Sequence, residues 1–249
     1  MPPLSLHISI ARSVSDSVRC TWLDNERGSV YLGATAPDIR VITRWERART
    51  HYFDLSSFEE QSGVGGFFAE NPKLAEAGSL TPATAAFVAG YATHLVMDET
   101  WITMVYRPFF GERSPLGGTI RANVMDRALQ FALDHERRSD AALVAEVVDA
   151  VVRCDLGLDI GFIDEQSLTQ WRQVVVDMLN SEPSWDRFRM GAKRHLPDTN
   201  DDELEELVRS VPDLVDETVQ YLTPSLLDEF MRESFERSRV SVKDYVQCA

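Results

Sequence analysis

The spacing of apolar and polar positions indicates helices along most of the chain. The strongest signal covers 81–105, where Thr81 suits a helix N-cap and Pro82 suits the first helical position. Ala, Phe, Val, Leu, Met and Trp then carry the apolar pattern onward. Since no stretch sustains the strict alternation of a half-buried strand, we predict an all-α fold, a single helical bundle.

Further helices are predicted on both sides of this segment. Asp164, Thr199 and Thr223 each suit the start of a helix, and Pro212 predicts a kink. The predicted segments are 8–23, 44–55, 120–136, 139–153, 164–180, 201–221 and 224–238.

Three stretches are predicted to interrupt the helices. Pro37 pushes Ala36 out of helical space in NERGSVYLGATAPDI (25–39). Glycines predict a loop in EQSGVGGFFAENP (60–72), and prolines with glycines end the long helix in YRPFFGERSPLGG (106–118).

Charge excludes two classes of partner. The 249 residues are 44% hydrophobic and 26% charged, and their formal net charge is −15. Such a chain can bury a sizeable core, and its charge opposes nucleic acid and anionic membranes. We interpret the short basic stretches, such as RWERAR (44–49), as solvated helix faces.

The remaining composition favours the cytoplasm. No apolar run reaches the ~18 residues of a transmembrane helix, and the first residues do not resemble a signal peptide. Cys20, Cys154 and Cys248 are odd in number and widely spaced, which fits a reducing compartment. We predict a cytoplasmic protein with no nucleic-acid partner and no stable membrane insertion, and the oligomeric state stays open.

The segment YATHLVMDET (91–100) carries the candidate chemistry. His94 and Asp98 lie four residues apart among apolar neighbours, so on a helix they face the same way. They can each bind one metal ion, or they can satisfy one another by a buried hydrogen bond. Glu99 points about 100° round the helix and is a weaker candidate to support the site.

Other donors precede this helix. His7 lies near the start, Asp38 follows Pro37, and His51 lies in RTHYF. A mixture of nitrogen and oxygen donors suits zinc, with iron, nickel or manganese as alternatives. The sequence therefore predicts a site with the metal ligands His7, Asp38, His51, His94 and Asp98.

Three motifs resemble the zinc-dependent phospholipase C family: LGATAPDI (32–39), HYF (51–53) and AFVAGYATHLVMDETW (86–101). The similarity covers roughly the first 105 residues. The resemblance implies an all-helical bundle with a metal cluster in a cleft. It also implies that one metal is bound by Asp38, His51, His94 and Asp98, that Asp98 bridges to a neighbouring metal, and that His7 serves this neighbour.

The chain departs from the family after this helix. Members with three metals carry another His and a His-x-x-x-Glu pair there, whereas this chain has only His135 and His195, followed four residues on by Ser139 and Thr199. We therefore expect one or two ions. We divide the predicted single domain, 1–249, into a metal-site half (1–118) and a helical C-terminal half (119–249).

The resemblance implies a metal-dependent hydrolase of phosphate esters that uses a metal-activated water. Asp38 is the candidate proton acceptor, if it does not bind the metal with both oxygens. The substrate is a small-molecule or a lipid phosphoester, and MVYRPFFG (104–111) is either an apolar rim for lipid or a loop that fills the core. Alternatively, the ion is structural and the protein acts through partner or ligand binding. An HD-type phosphohydrolase is set aside, because the chain has no adjacent His-Asp pair.

Overall fold

Helices make up most of the described part of the chain, residues 2–182 and 201–247 of the computed structural model, and no strand occurs there. The predicted all-α class is confirmed. The α-helices are α1 (Leu4–Val18), α2 (Thr21–Asn25), α3 (Arg27–Thr35), α4 (Arg40–Thr43), α5 (Ala48–His51), α6 (Gly63–Glu70), α7 (Pro82–Trp101), α8 (Ile120–Arg138), α9 (Ala141–Arg153), α10 (Glu165–Asn180), α11 (Asp201–Leu222) and α12 (Pro224–Gln247). Three 3₁₀ turns (Ala36–Ile39, Pro72–Leu74 and Ala77–Ser79) and a π-helix (Ile102–Phe110) complete them.

Helix α7 is the central element. Every residue from Ala83 to Trp101 is buried, because α3, α12, α1 and α6 pack around it. A helix that is apolar all round belongs inside a bundle rather than on its surface. The predicted N-cap is confirmed, since the Thr81 side chain accepts a hydrogen bond from the Thr84 backbone N–H.

Two of the predicted loops are wrong. The first forms α3, because Pro37 lies in the 3₁₀ turn that ends the helix and therefore does not prevent it. The second contains α6, capped by the Ser62 side chain and packed against α7. In both helices tertiary packing outweighs the low helix propensity of glycine.

The long helix also ends later than predicted. A π-helical segment continues to Phe110 with Pro108 inside it, and the backbone becomes extended only at Gly111. The wider turn accommodates a residue that lacks an N–H group.

Several other boundaries shift. The first helix starts at Leu4 and is interrupted at Arg19, which adopts the left-handed conformation. The predicted helix over 44–55 is reduced to the single turn of α5, and Tyr52 after it also adopts the left-handed conformation. The last helix runs on to Gln247, while Thr199 lies outside the described residues.

The two predicted halves share a hydrophobic core. Phe230, Val242 and Tyr245 of the C-terminal half belong to the same buried cluster as Leu6 and Met97 of the first. Helix α12 makes this connection, since it packs against both α7 and α1. None of the described helices combines the length and apolar character needed to cross a membrane.

Helices α3 and α7 approach one another at two glycines. A Cβ atom added to Gly90 would lie 2.0 Å from the Val30 carbonyl oxygen, and one added to Gly33 would lie 2.0 Å from that of Phe87. Neither distance is possible for a real carbon atom, so the two backbones can meet only because these side chains are absent.

We expect Gly90→Ala to lower the free energy of unfolding by about 1–3 kcal/mol, because the backbones must separate. Urea denaturation measures this change. Gly157→Ala is the control, since its nearest contact would be 3.3 Å from an oxygen of the exposed Asp155 side chain. Equal stability of the two variants would contradict the close packing.

Candidate metal centre

Four separate elements deliver the predicted ligands to one place. His7 lies near the start of α1, Asp38 lies in the 3₁₀ turn after α3, and His51 is the last residue of α5. His94 and Asp98 lie one turn apart on α7. The residues are distant in sequence, and helix packing alone brings them together.

The ligand atoms form two overlapping groups. One contains His7, His94 and Asp98, and the other contains Asp38, His51 and His94; within each, the atoms lie within 4.8 Å of one another. These buried His/Asp groups could hold a metal ion.

Asp98 lies at the centre of the cluster. Its Oδ1 is 3.5 Å from His7 Nε2, and its Oδ2 is 3.4 Å from His51 Nε2 and 3.8 Å from His94 Nε2. Asp38 Oδ1 is 3.7 Å from His51 Nε2. These separations exceed a hydrogen bond, so the histidines and carboxylates do not simply satisfy one another.

Hydrogen bonds outside the cluster orient two of the imidazole rings. His94 Nδ1 lies 2.8 Å from the Ala34 carbonyl oxygen, which can only accept, so this nitrogen carries the proton. His51 Nδ1 lies 2.8 Å from the Thr50 hydroxyl. The ring of His7 stacks on that of His94, with centroids 3.7 Å apart. The Nε2 atom of His94 is therefore left with a free lone pair in the cluster, as a metal ligand requires.

Unpartnered buried atoms provide a test of whether a cation fits. The Nε2 atoms of His7, His51 and His94 and the Oδ1 atom of Asp98 have no hydrogen-bond partner among the described residues. Buried polar groups are nearly always paired, and each orphan costs about 1–3 kcal/mol. One cation can accept electron pairs from several of these atoms, so the residues present fit a metal ion.

Ionisation also favours cation binding. Burial, together with the neighbouring His7, lowers the pKa of His94 to about 3, so the ring is neutral at neutral pH. Burial alone would raise the pKa of Asp98, but the neighbouring His7 and the Arg47 guanidinium outweigh it and hold this pKa well below its usual range. His94 thus presents a neutral imidazole nitrogen and Asp98 a charged carboxylate, the forms that bind metals.

The centre reaches solvent at one side. The side chains of His7, His51 and His94 are fully buried, whereas that of Asp38 is 25% exposed. Of the five predicted ligands, Asp38 is therefore the one in contact with solvent.

Sequence reasoning missed Arg47. Its Nη2 lies 3.0 Å from Asp98 Oδ2, and its side chain is only 15% exposed. The interpretation of RWERAR (44–49) as a solvated face is wrong at this position. The partner lies 51 residues away in sequence, so only one signal was available: on a helical turn Arg47 shares a face with His51.

Other candidate residues lie elsewhere. Glu99 binds Arg237 and the backbone N–H of Gly63, so it connects α7 to α12 and α6 instead of supporting the cluster. His135 is exposed near the end of α8 and belongs to neither group. His195 lies outside the described residues.

We expect the purified protein to bind a divalent cation, and His94→Ala to weaken this binding by about 100-fold or more. The loss of a ligand should exceed the 10- to 100-fold typical of a residue that merely orients one. Elemental analysis and thermal denaturation with and without Zn²⁺ measure it. His135→Ala is the matched control, and equal Zn²⁺ binding by both variants would contradict the centre.

Comparison with protein-family models, with curated proteins and with solved structures found no significant match. The geometry of the cluster is therefore the principal evidence on function.

Proposed function

We propose that the protein is a metal-dependent hydrolase of phosphate esters, similar to the phospholipases C. The supporting observation is the buried group of imidazole and carboxylate atoms that lack partners and converge on Asp98. The resemblance of the motifs around Asp38, His51 and His94 to that family adds support. Zinc is the first ion to test, followed by iron, nickel and manganese.

The chain's own residues have separable roles in this proposal. The side chains that hold the ion or ions are His7, Asp38, His51, His94 and Asp98, and the apolar faces of α1 and α7 exclude bulk water. A bound divalent cation lowers the pKa of a water molecule and offsets charge on a phosphoryl group.

Asp38 has a second role in this proposal. Its side chain is 25% exposed, so in this proposal its carboxylate accepts a proton from an attacking water that comes from solvent.

The substrate is a small-molecule or a lipid phosphoester. The segment MVYRPFFG (104–111) does not form the exposed apolar rim that a lipid substrate would need. Phe110 is buried, and the Tyr106 hydroxyl donates a hydrogen bond to Asn123. Phe109 also packs against Tyr221. We therefore favour a small soluble phosphoester in the cytoplasm, the location that the cysteine pattern predicts.

A structural ion is the second candidate. All three imidazoles are fully buried, and an ion there would connect α1, α5 and α7 whether or not it reacts. The protein would then act through partner or ligand binding. A closed shell of four protein ligands is typical of structural zinc, whereas a catalytic site keeps one position open.

We expect the Zn²⁺-loaded protein to hydrolyse bis(p-nitrophenyl) phosphate, and Asp38→Asn to lower kcat by about 100-fold or more. The amide cannot accept the proton, and general-base catalysis contributes about 10²–10⁴-fold. Release of p-nitrophenolate measures the rate.

Two further proteins complete this experiment. His94→Ala should abolish turnover, and His135→Ala should retain it. If the metal-loaded wild-type protein shows no turnover, or if His94→Ala leaves turnover unchanged, hydrolysis is wrong and the structural ion is favoured.

A further inference from the structure

The unpartnered atoms of the cluster are of two chemical kinds. Those of the histidines and of Asp98 donate electron pairs, and a cation satisfies them. Among the described residues, the Nε and Nη1 atoms of Arg47 are also buried without a hydrogen-bond partner. They carry N–H groups, which a cation cannot satisfy and which require an acceptor such as an anionic oxygen.

Arg47 is well placed to meet a ligand at the centre. Its Nη2 atom lies 3.0 Å from Asp98 Oδ2, and Nη1 belongs to the same end of the guanidinium group. An oxygen atom that accepts from Nη1 would thus lie beside the carboxylate at the middle of the cluster. The side chain is 15% exposed and that of Asp38 is 25% exposed, so these two side chains are the most exposed of the cluster.

Charge at the centre also favours an anion. Histidines that bind a metal are neutral, so with an ion in place the carboxylates of Asp38 and Asp98 and the guanidinium of Arg47 leave the protein groups with one net negative charge. One divalent cation would convert this to one net positive charge. That value complements a phosphodiester, which carries a single negative charge.

The surrounding segment is basic in an acidic protein. Arg40, Arg44 and Arg49 lie close to Arg47 in sequence, although the whole chain carries −15. Arg40 and Arg49 donate to backbone carbonyl groups, of Trp45 and Phe162. Within this segment, Arg47 is the residue whose buried N–H groups have no partner among the described residues.

We propose that Arg47 binds an anionic phosphoryl oxygen at this centre and thereby selects phosphoesters as ligands. The inference rests on the proposed function, because it assigns a substrate class to the same site. In this proposal Arg47 binds the ligand directly. If Arg47 only neutralised the charge of Asp98, its other N–H groups would bind a water molecule instead. Charge-assisted hydrogen bonds from arginine are well suited to phosphate.

Isothermal titration calorimetry with the full-length, Zn²⁺-loaded protein tests this proposal. The probes are inorganic phosphate, which represents a monoester or a product, and dimethyl phosphate, which represents a diester. We expect at least one probe to bind the wild-type protein, and Arg47→Met to weaken that binding by about tenfold or more. The probe that binds more tightly distinguishes the two sources of the phosphoryl group.

Arg49→Met is the matched control, because it removes the same charge two residues away, where the guanidinium stacks on Trp45. Its affinity should stay within about twofold of wild type. Zinc content is measured for each protein, so that affinities are compared at equal occupancy. If Arg47→Met does not fold, Arg47→Lys replaces it, and we expect it to bind phosphate several-fold more weakly than wild type.

Two results would overturn the proposal: neither probe binds the wild-type protein, or the Arg47 variant binds as tightly as wild type. If Arg47→Met loses anion binding and the wild-type protein shows no phosphodiester turnover, the anion site is retained and hydrolysis is rejected. Turnover combined with an unchanged anion affinity in Arg47→Met would reject the role of Arg47 alone.

Discussion

The close contact between α3 and α7 is the constraint on which the centre depends. Because Gly33 and Gly90 have no side chains, the two backbones touch. The Ala34 carbonyl oxygen therefore reaches His94 Nδ1 at 2.8 Å and fixes the orientation of this ring. The 3₁₀ turn that follows α3 then carries Asp38 to the same side. The two glycines thus help to position Asp38 and to orient His94.

Without a ligand, the unpaired buried atoms of the cluster lower the stability of the folded protein. An unpaired buried polar atom costs about 1–3 kcal/mol, whereas a folded domain is stable by only about 5–15 kcal/mol. The cluster contains several such atoms on His7, His51, His94, Asp98 and Arg47. An occupant that paired them would contribute a large part of the net stability, so we infer that ligand binding and folding are coupled here.

The sequence predicted elements well where their signals are local. Helices α8, α9 and α10 agree with prediction to within two residues, and Asp164 caps α10 as expected. His94 and Asp98 stood out because helical spacing places them together in an apolar segment. Helix α3 was missed because Pro37 was expected to break it, whereas Pro37 lies in the turn that ends it. Helix α6 was missed because its glycines pack against other residues, and local rules interpret glycines as loop signals. Arg47 was missed because its partner is distant in sequence.

Asp98 and Glu99 show how packing assigns different roles to adjacent carboxylates. A rotation of about 100° turns Asp98 toward α1 and α5 and Glu99 toward α6 and α12. Glu99 is satisfied there by Arg237 and by the Gly63 N–H, whereas Asp98 keeps an oxygen without a partner. Both side chains are buried, so burial alone cannot separate a structural carboxylate from a candidate ligand. The unpaired oxygen does separate them, because only Asp98 gains a partner when a cation binds.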